Sequence, residues 1–165
     1  MGRWTDMRTI KQLLEGAERE ARSMGEEEPG AEHLLLSALL LPGGEGRRVL
    51  RAFGVDHAGL RSAILAQHSE ALVGLGIDQE RAAGLAAPQP LDPPLGRGLF
   101  RSRTSAQEAF RAAAALAHRD GRSGLNGAHV VAAVAAMEHG TAARALEGLG
   151  VDRAAIAAAA HAVID

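Results

Sequence analysis

The stretch Gly30–Leu40, GAEHLLLSALL, decides how the rest of the sequence is understood. Its apolar residues recur at helical spacing. Starting at Ala128 the chain has AHVVAAVAAM, in which His129 follows His33 by 96 positions. The same shift aligns further identical or similar residues without a gap: Trp4/Phe100, Ala17/Ala113, Ala21/Ala117, Gly25/Gly121, Gly44/Gly140, Arg48/Arg144 and Leu50/Leu146. The chain therefore contains an internal duplication.

Each copy has the apolar spacing of amphipathic helices, and no segment alternates as a strand would. We expect an all-α fold of two pseudo-symmetric four-helix repeats, about eight helices, at residues 1–66 and 100–165. Residues 67–99 form a linker whose four prolines, between Pro88 and Pro94, predict an extended chain. The two repeats are expected to dock into one domain, because each alone has a thin core.

Short turns mark the helix ends in both copies. Gly54-Val55-Asp56 and Gly150-Val151-Asp152 each combine a glycine that ends one helix with an aspartate that caps the next. Gly76-Ile77-Asp78 in the linker resembles this turn and allows an additional short helix. Asp6 and Ser102 occupy equivalent positions and are predicted to cap the first helix of each repeat.

The composition excludes several classes of function. The chain is 47% hydrophobic but only 2% aromatic, which favours a helical core of Ala, Leu, Val and Ile. A net charge of -2 provides no field that would recruit nucleic acid or an anionic membrane. There is no cysteine, so thiolate metal sites and cysteine nucleophiles are excluded. No secretory signal or membrane-length apolar run is evident, and we expect a cytoplasmic protein.

Motifs for nucleotide, metal or catalytic sites are missing from the sequence. The only lysine, Lys11, follows no glycine loop, so a P-loop is excluded. His33 and His129 lack a ligand-type partner four residues on, and we expect them to bond locally rather than hold a metal. We predict no cofactor. An enzyme, a remote alternative, would need a cluster built from His118, Asp120 and His129.

Glu32 and the two entrance aromatics each allow two interpretations. Glu32 lies where the helix dipole tolerates an acid, or it grips a guanidinium while nearby donors hold an anion. Trp4 and Phe100 are hydrophobic staples or a ligand-binding pair. The run Glu26-Glu27-Glu28 is interpreted as a solvated loop.

GAEHLLLSALL, preceded by EREARSMG and followed by VLRAFGVD, resembles the repeat of the Clp amino-terminal domain that heads ClpA- and ClpC-type AAA+ unfoldases. The resemblance covers residues 4–66 closely and 100–164 in eroded form. It implies a fold of two four-helix repeats with pseudo-twofold symmetry. It also implies a domain that receives substrates and adaptor proteins. In some relatives the motif Glu contacts the guanidinium of phosphoarginine-marked proteins, and in others cyclic-peptide antibiotics lodge near the entrance aromatics.

By this resemblance Glu32 matches the motif Glu, whereas Ala128 lacks it. The motif Thr is Ala31 in the first copy and Gly127 in the second, and the entrance aromatics lie two residues farther from the histidine than in the family pattern. At most the first half keeps the phosphoarginine chemistry. The candidate binding residues are Trp4, Thr5, Arg8, Glu32, Phe100 and Arg103.

Since no AAA+ module follows in this sequence, the resemblance favours a free-standing, non-catalytic binding module. Its expected partners are a Clp unfoldase, its substrates or its adaptors, and it would act as regulator, adaptor or decoy. The alternative is a protein that sequesters a small molecule or cyclic peptide in an apolar groove lined by Trp4 and Phe100.

Overall fold

The computed structural model describes residues 2–92, 101–121 and 124–165, with side chains from Asp6 onward. Within these ranges there are nine α-helices and no strand. The prediction of an all-α fold is confirmed, and the short helix allowed after Gly76-Ile77-Asp78 is present as α5. The helices are α1 (Gly2–Ser23), α2 (Ala31–Leu39), α3 (Glu45–Arg51), α4 (His57–Gly74), α5 (Gln79–Ala86), α6 (Thr104–Asp120), α7 (Gly127–Ala135), α8 (Thr141–Gly148) and α9 (Arg153–Ile164).

The repeated glycine turn ends one helix and starts the next, as predicted. Gly54 adopts a left-handed conformation with φ of 74°, and the N–H of Val55 donates to the carbonyl oxygen of Leu50 at 3.1 Å. This bond spans the end of α3 as in a Schellman motif, and Val55 is buried beneath it. Asp56 Oδ1 then accepts a hydrogen bond from the N–H of Gly59 at 2.7 Å and caps α4.

The same turn recurs twice more. Gly76 and Gly150 have φ of 89° and 74°, which only glycine adopts readily. Asp78 caps α5 by accepting from the N–H of Arg81 at 3.0 Å, and Asp152 caps α9 by accepting from the N–H of Ala154 at 2.9 Å. A short sequence motif therefore specifies three helix boundaries.

The predicted caps at Asp6 and Ser102 are wrong. Helix α1 already begins at Gly2, so Asp6 lies inside it, and its Oδ1 instead accepts from the N–H of Leu125 at 3.1 Å. Helix α6 begins at Thr104, so Arg103 precedes it and Ser102 lies outside. Asp6 thus ties the start of α1 to the turn before α7, in the other repeat.

Helices α2 and α7 form the centre of the fold. Every residue of both helices is buried. They pack against each other, and α3 packs on α7 while α4 packs along α8. Leu34 and Leu60 of the first repeat and Val131 and Ile156 of the second belong to one continuous apolar cluster. The two repeats therefore share a core that neither would complete alone.

Two glycines allow the backbones of the repeats to touch. A Cβ atom added to Gly127, at the start of α7, would lie 2.8 Å from the carbonyl oxygen of Ala38 and 2.9 Å from the backbone nitrogen of Gly46. A Cβ on Gly46 would lie 3.0 Å from the carbonyl oxygen of Gly127. These backbone atoms leave too little room for a methyl group, so the absence of a side chain allows α2, α3 and α7 to approach closely at this point.

The segment between the repeats is partly helical. Helix α4 continues to Gly74, past the boundary expected at residue 66, and packs on α5. Residues 87–92 are then not helical. They run along α1, where the N–H of Leu91 donates to the carbonyl oxygen of Arg22 at 2.9 Å and Arg22 Nη1 donates to the carbonyl oxygen of Asp92 at 2.6 Å.

Replacing Gly127 by Ala should destabilise the protein, because the new methyl group would force the repeats apart. We expect a loss of about 1–3 kcal/mol in the free energy of unfolding, as for overpacked cores, measured by urea denaturation. Gly84→Ala is the matched control, since Gly84 lies in α5 with open space around it and alanine favours helices by up to about 1 kcal/mol. Equal stability of the two variants would contradict the close contact.

Candidate functional site

His33 and His129 close the first turns of the two central helices. The backbone N–H of Gly30 donates to His33 Nδ1 at 3.0 Å, and that of Asn126 donates to His129 Nδ1 at 3.1 Å. Both side chains are fully buried. The prediction that these histidines bond locally is confirmed. Because Nδ1 accepts a hydrogen bond in each ring, the proton of the neutral imidazole is on Nε2.

Four charged or ionisable side chains are grouped with His33, of which Glu26 faces its Nε2 and Glu32 lies 3.7 Å from its Nδ1. We call the five residues together the ionic cluster. Glu26 comes from the loop after α1, Glu32 and His33 from α2, His68 from α4, and Arg103 from the residue before α6. The cluster thus joins the second repeat to three elements of the first. Its members are separated by up to 77 positions in sequence, so the fold alone brings them together.

Arg103 lies at the centre of this cluster. Its Nη2 is 3.0 Å from Glu26 Oε2, and its Nη1 donates to Glu32 Oε1 at 3.3 Å. His68 Nε2 is 3.1 Å from Glu26 Oε1, and His33 Nε2 is 3.2 Å from Glu26 Oε2. The two carboxylates are therefore compensated by one permanent cation, Arg103, and by the imidazole of His68, whose pKa is raised.

Burial sets the protonation of the cluster. It lowers the pKa of His33 to about 4, despite the opposing charge of Glu26. Burial also raises the pKa of Glu32, and the Glu26 charge adds to this effect. For Glu26 burial acts upward too, but the hydrogen bond with His68 and the charges of His33 and Arg103 outweigh it and lower the pKa. The hydrogen bond to Glu26 in turn raises the pKa of His68.

Glu26, Glu32 and His33 offer three oxygen and nitrogen atoms within 4.8 Å of one another, a spacing compatible with a metal ion. The chemistry of the donors does not fit one. A metal would need the lone pair of His33 Nε2, yet the bond from the Gly30 N–H to Nδ1 keeps the proton on Nε2. Arg103 already bonds both carboxylates. The arrangement suits a planar cation with several N–H donors rather than a metal.

The corresponding place in the second repeat has different chemistry. Ala128 takes the position of Glu32 and is fully buried. His129 Nε2 faces Asp120 Oδ2 at 3.7 Å, and burial lowers the pKa of His129. His118 lies on the exposed side of α6, away from a buried cluster of the kind that an enzyme would need. The Glu32 carboxylate thus has no equivalent in the second repeat, where the acids that act on His129 are Asp120, Glu45 and Asp6.

The structure brings together two of the six candidate residues, Glu32 and Arg103. Arg8 is exposed on α1. Phe100 and the side chains of Trp4 and Thr5 lie outside the described residues, so their roles remain predictions.

Sequence reasoning missed Glu26 and His68. The interpretation of the acidic run as solvated is wrong for Glu26, although Glu27 and Glu28 are exposed. Gly25 ends α1 with φ of 82°, and the N–H of Glu26 donates to the carbonyl oxygen of Ala21 at 2.9 Å. A Schellman motif thus turns Glu26 back onto the protein, and the glycine before it was the available signal.

The comparisons with known proteins agree with this architecture. The family model of the Clp repeat (R) N-terminal domain matches residues 7–91, just over half of the chain. The chain belongs to this family. Clp N-terminal domains are non-catalytic substrate-binding modules, and the chain is accordingly a Clp-related binding module.

Solved structures extend the Clp N fold over both repeats. The N-terminal domain of the chaperone ClpD from Arabidopsis thaliana is 19% identical, with a TM-score of 0.63, covering 94% of this chain and 90% of that one. A chain from structural investigations of a malarial protein secretion system is 17% identical, with a TM-score of 0.61 and coverage of 95% and 92%. The search of curated protein sequences found no match. None of the described helices is long and apolar enough to cross a membrane.

Lowering the pH should weaken the wild-type protein more than the His33→Gln variant. Unfolding exposes His33, which then takes up a proton near its ordinary pKa of 6.5 instead of about 4. Stability contributed by the neutral buried ring is present above pH 6.5 and is lost as the pH falls toward 4. The difference corresponds to about 3 kcal/mol at most, at 1.36 kcal/mol per pKa unit.

Glutamine is suitable because its side-chain oxygen can still accept from the N–H of Gly30. Urea denaturation at pH 7, 6, 5 and 4 provides the comparison, and the values at pH 7 report whether the cap survives. Parallel pH curves for the two proteins would contradict the assignment of a neutral, buried His33.

Proposed function

We propose that this Clp N domain binds proteins of a Clp proteolytic system, substrates or adaptors, and regulates degradation by competing for them. The observation that carries the proposal is the carboxylate pair of Glu26 and Glu32, which already holds the guanidinium of Arg103. Glu32 is also the residue that matches the motif Glu of the family. A carboxylate pair of this kind can recognise arginine on a partner by the same combination of one hydrogen bond and one ion pair.

Asymmetry between the repeats favours one such contact per chain. The first repeat carries Glu32 with its side chain 4% exposed, whereas the second carries Ala128. Phosphoarginine-bearing proteins are one partner class compatible with this arrangement, with the guanidinium on Glu32. The loss of the second carboxylate means that a partner would engage the first repeat.

Sequestration of a small molecule or cyclic peptide is a second candidate function. A surface groove beside α1 supports it. The groove has a volume of about 410 Å³ and lies between α1 and the segment of Pro90 and Leu91, with Glu15, Arg19 and Arg22 around it. This volume is within the range of small-molecule sites, roughly 300–1,000 Å³. The proteolysis assay below separates the two candidates.

Purified protein should slow the degradation of a disordered model substrate by a ClpC-type unfoldase and its peptidase in a dose-dependent manner. Glu32→Gln should need about ten- to a hundredfold more protein for the same effect, because one charge-assisted hydrogen bond contributes about 1.5–3 kcal/mol. Glu28→Gln is the matched control, since Glu28 is exposed in the loop just before α2. Trp4→Ala tests whether the first-repeat entrance takes part.

An unchanged degradation rate at large molar excess would contradict the regulatory role, and sequestration would then be the better proposal. Equal potency of Glu32→Gln and Glu28→Gln would instead contradict the assignment of the contact surface.

A further inference from the structure

The guanidinium of Arg103 spans two carboxylates that belong to the other repeat. One terminal nitrogen donates a hydrogen bond to Glu32, whose side chain is 4% exposed, and the other forms an ion pair with Glu26, whose side chain is 15% exposed. The Arg103 side chain itself is 43% exposed. The two carboxylates thus lie deeper than the arginine, whose side chain covers them from the solvent side.

The backbone around Arg103 is held independently of this side chain. The N–H of Arg103 donates to the carbonyl oxygen of Pro29 at 2.9 Å, and the N–H of Ala31 donates to Ser105 Oγ at 3.2 Å. These bonds, and the packing of α6 on α2, do not involve the guanidinium. The side chain can therefore rotate into solvent while the two repeats remain docked.

We propose that Glu26 and Glu32 form a guanidinium site which Arg103 occupies from within the chain, so that an arginine side chain of a partner binds only by displacing it. This carboxylate pair favours guanidinium over ammonium, because its two members contact different nitrogens of one planar group. For its biological role the inference rests on the proposed function. Its test uses the purified chain alone, so that its failure is distinguishable from failure of the proteolysis assay.

Competition from within the chain determines what binds. A tethered group acts at an effective concentration on the order of millimolar, so a single free arginine side chain competes poorly. A partner that makes further contacts can displace Arg103, whereas an isolated ligand cannot. Arg103 thereby restricts the site to partners that make other contacts with the protein in addition to the arginine side chain.

The experiment is a calorimetric titration with Nα-acetyl-arginine amide, and Nα-acetyl-lysine amide serves as the control probe. Arg103→Ala should bind the arginine probe about tenfold or more tightly than wild type, since the internal competitor is gone. The double variant Arg103→Ala/Glu32→Gln should lose this gain. Arg111→Ala, which removes an exposed arginine of α6, should behave as wild type.

Far-UV circular dichroism and urea denaturation establish that each variant is folded, and Arg103→Gln replaces Arg103→Ala if the latter is not. No gain in affinity in the folded variant, or an equal gain for the lysine probe, would overturn the proposal. Unfolding of both variants would overturn it as well, because Arg103 would then be a structural residue and not a displaceable occupant.

Discussion

The complete burial of α2 and α7 against each other is the constraint on which the rest of the structure depends. A buried helix start exposes several backbone N–H groups that water cannot reach, and each one needs a partner. His33 and His129 accept from the N–H of the residues that precede the two helices, and Asn126 adds a side-chain cap in the second repeat. The repeated histidine therefore has a structural role.

Cross-repeat bonds stabilise the same helix starts. Ser105, in α6, accepts from the N–H of Ala31, while Asp6, in α1, accepts from the N–H just before Asn126. Each repeat thus completes the entry of the other repeat's central helix. Glycines at positions 46 and 127 allow this pairing, because any side chain there would collide with backbone atoms.

The candidate site lies at a position where the two repeats differ in sequence, beside the histidine that both of them share. Around His129 the position equivalent to Glu32 is the buried Ala128, which needs no oppositely charged partner. Around His33 two carboxylates are present instead, and burying them requires a cation. Arg103 meets that requirement from the second repeat. The same contact therefore joins the repeats and creates the chemistry from which a binding role is proposed.

Sequence patterns were sufficient where the determining contacts are local. The glycine turns and the caps at Asp56 and Asp152 involve residues a few positions apart and were predictable, and the duplication is visible as a constant shift of 96 positions. The failures involve distant partners. Asp6 bonds a residue 119 positions away, and Glu26 and Arg103 meet across the repeat boundary. Contacts of this kind form only when helices from distant parts of the chain pack together. The spacing of apolar residues within one helix does not specify which distant residue it will meet.

Hydrogen exchange followed by mass spectrometry is the most direct test of the claim that the two repeats share one core. Peptides from α2 and α7 should exchange with the same free energy, equal to that of global unfolding, because neither helix can open alone. Peptides from α5, which buries only Ala82, should exchange faster. Exchange of α7 through a separate, lower-energy opening while α2 stays protected would contradict the account, since it would mean that the repeats are independent units.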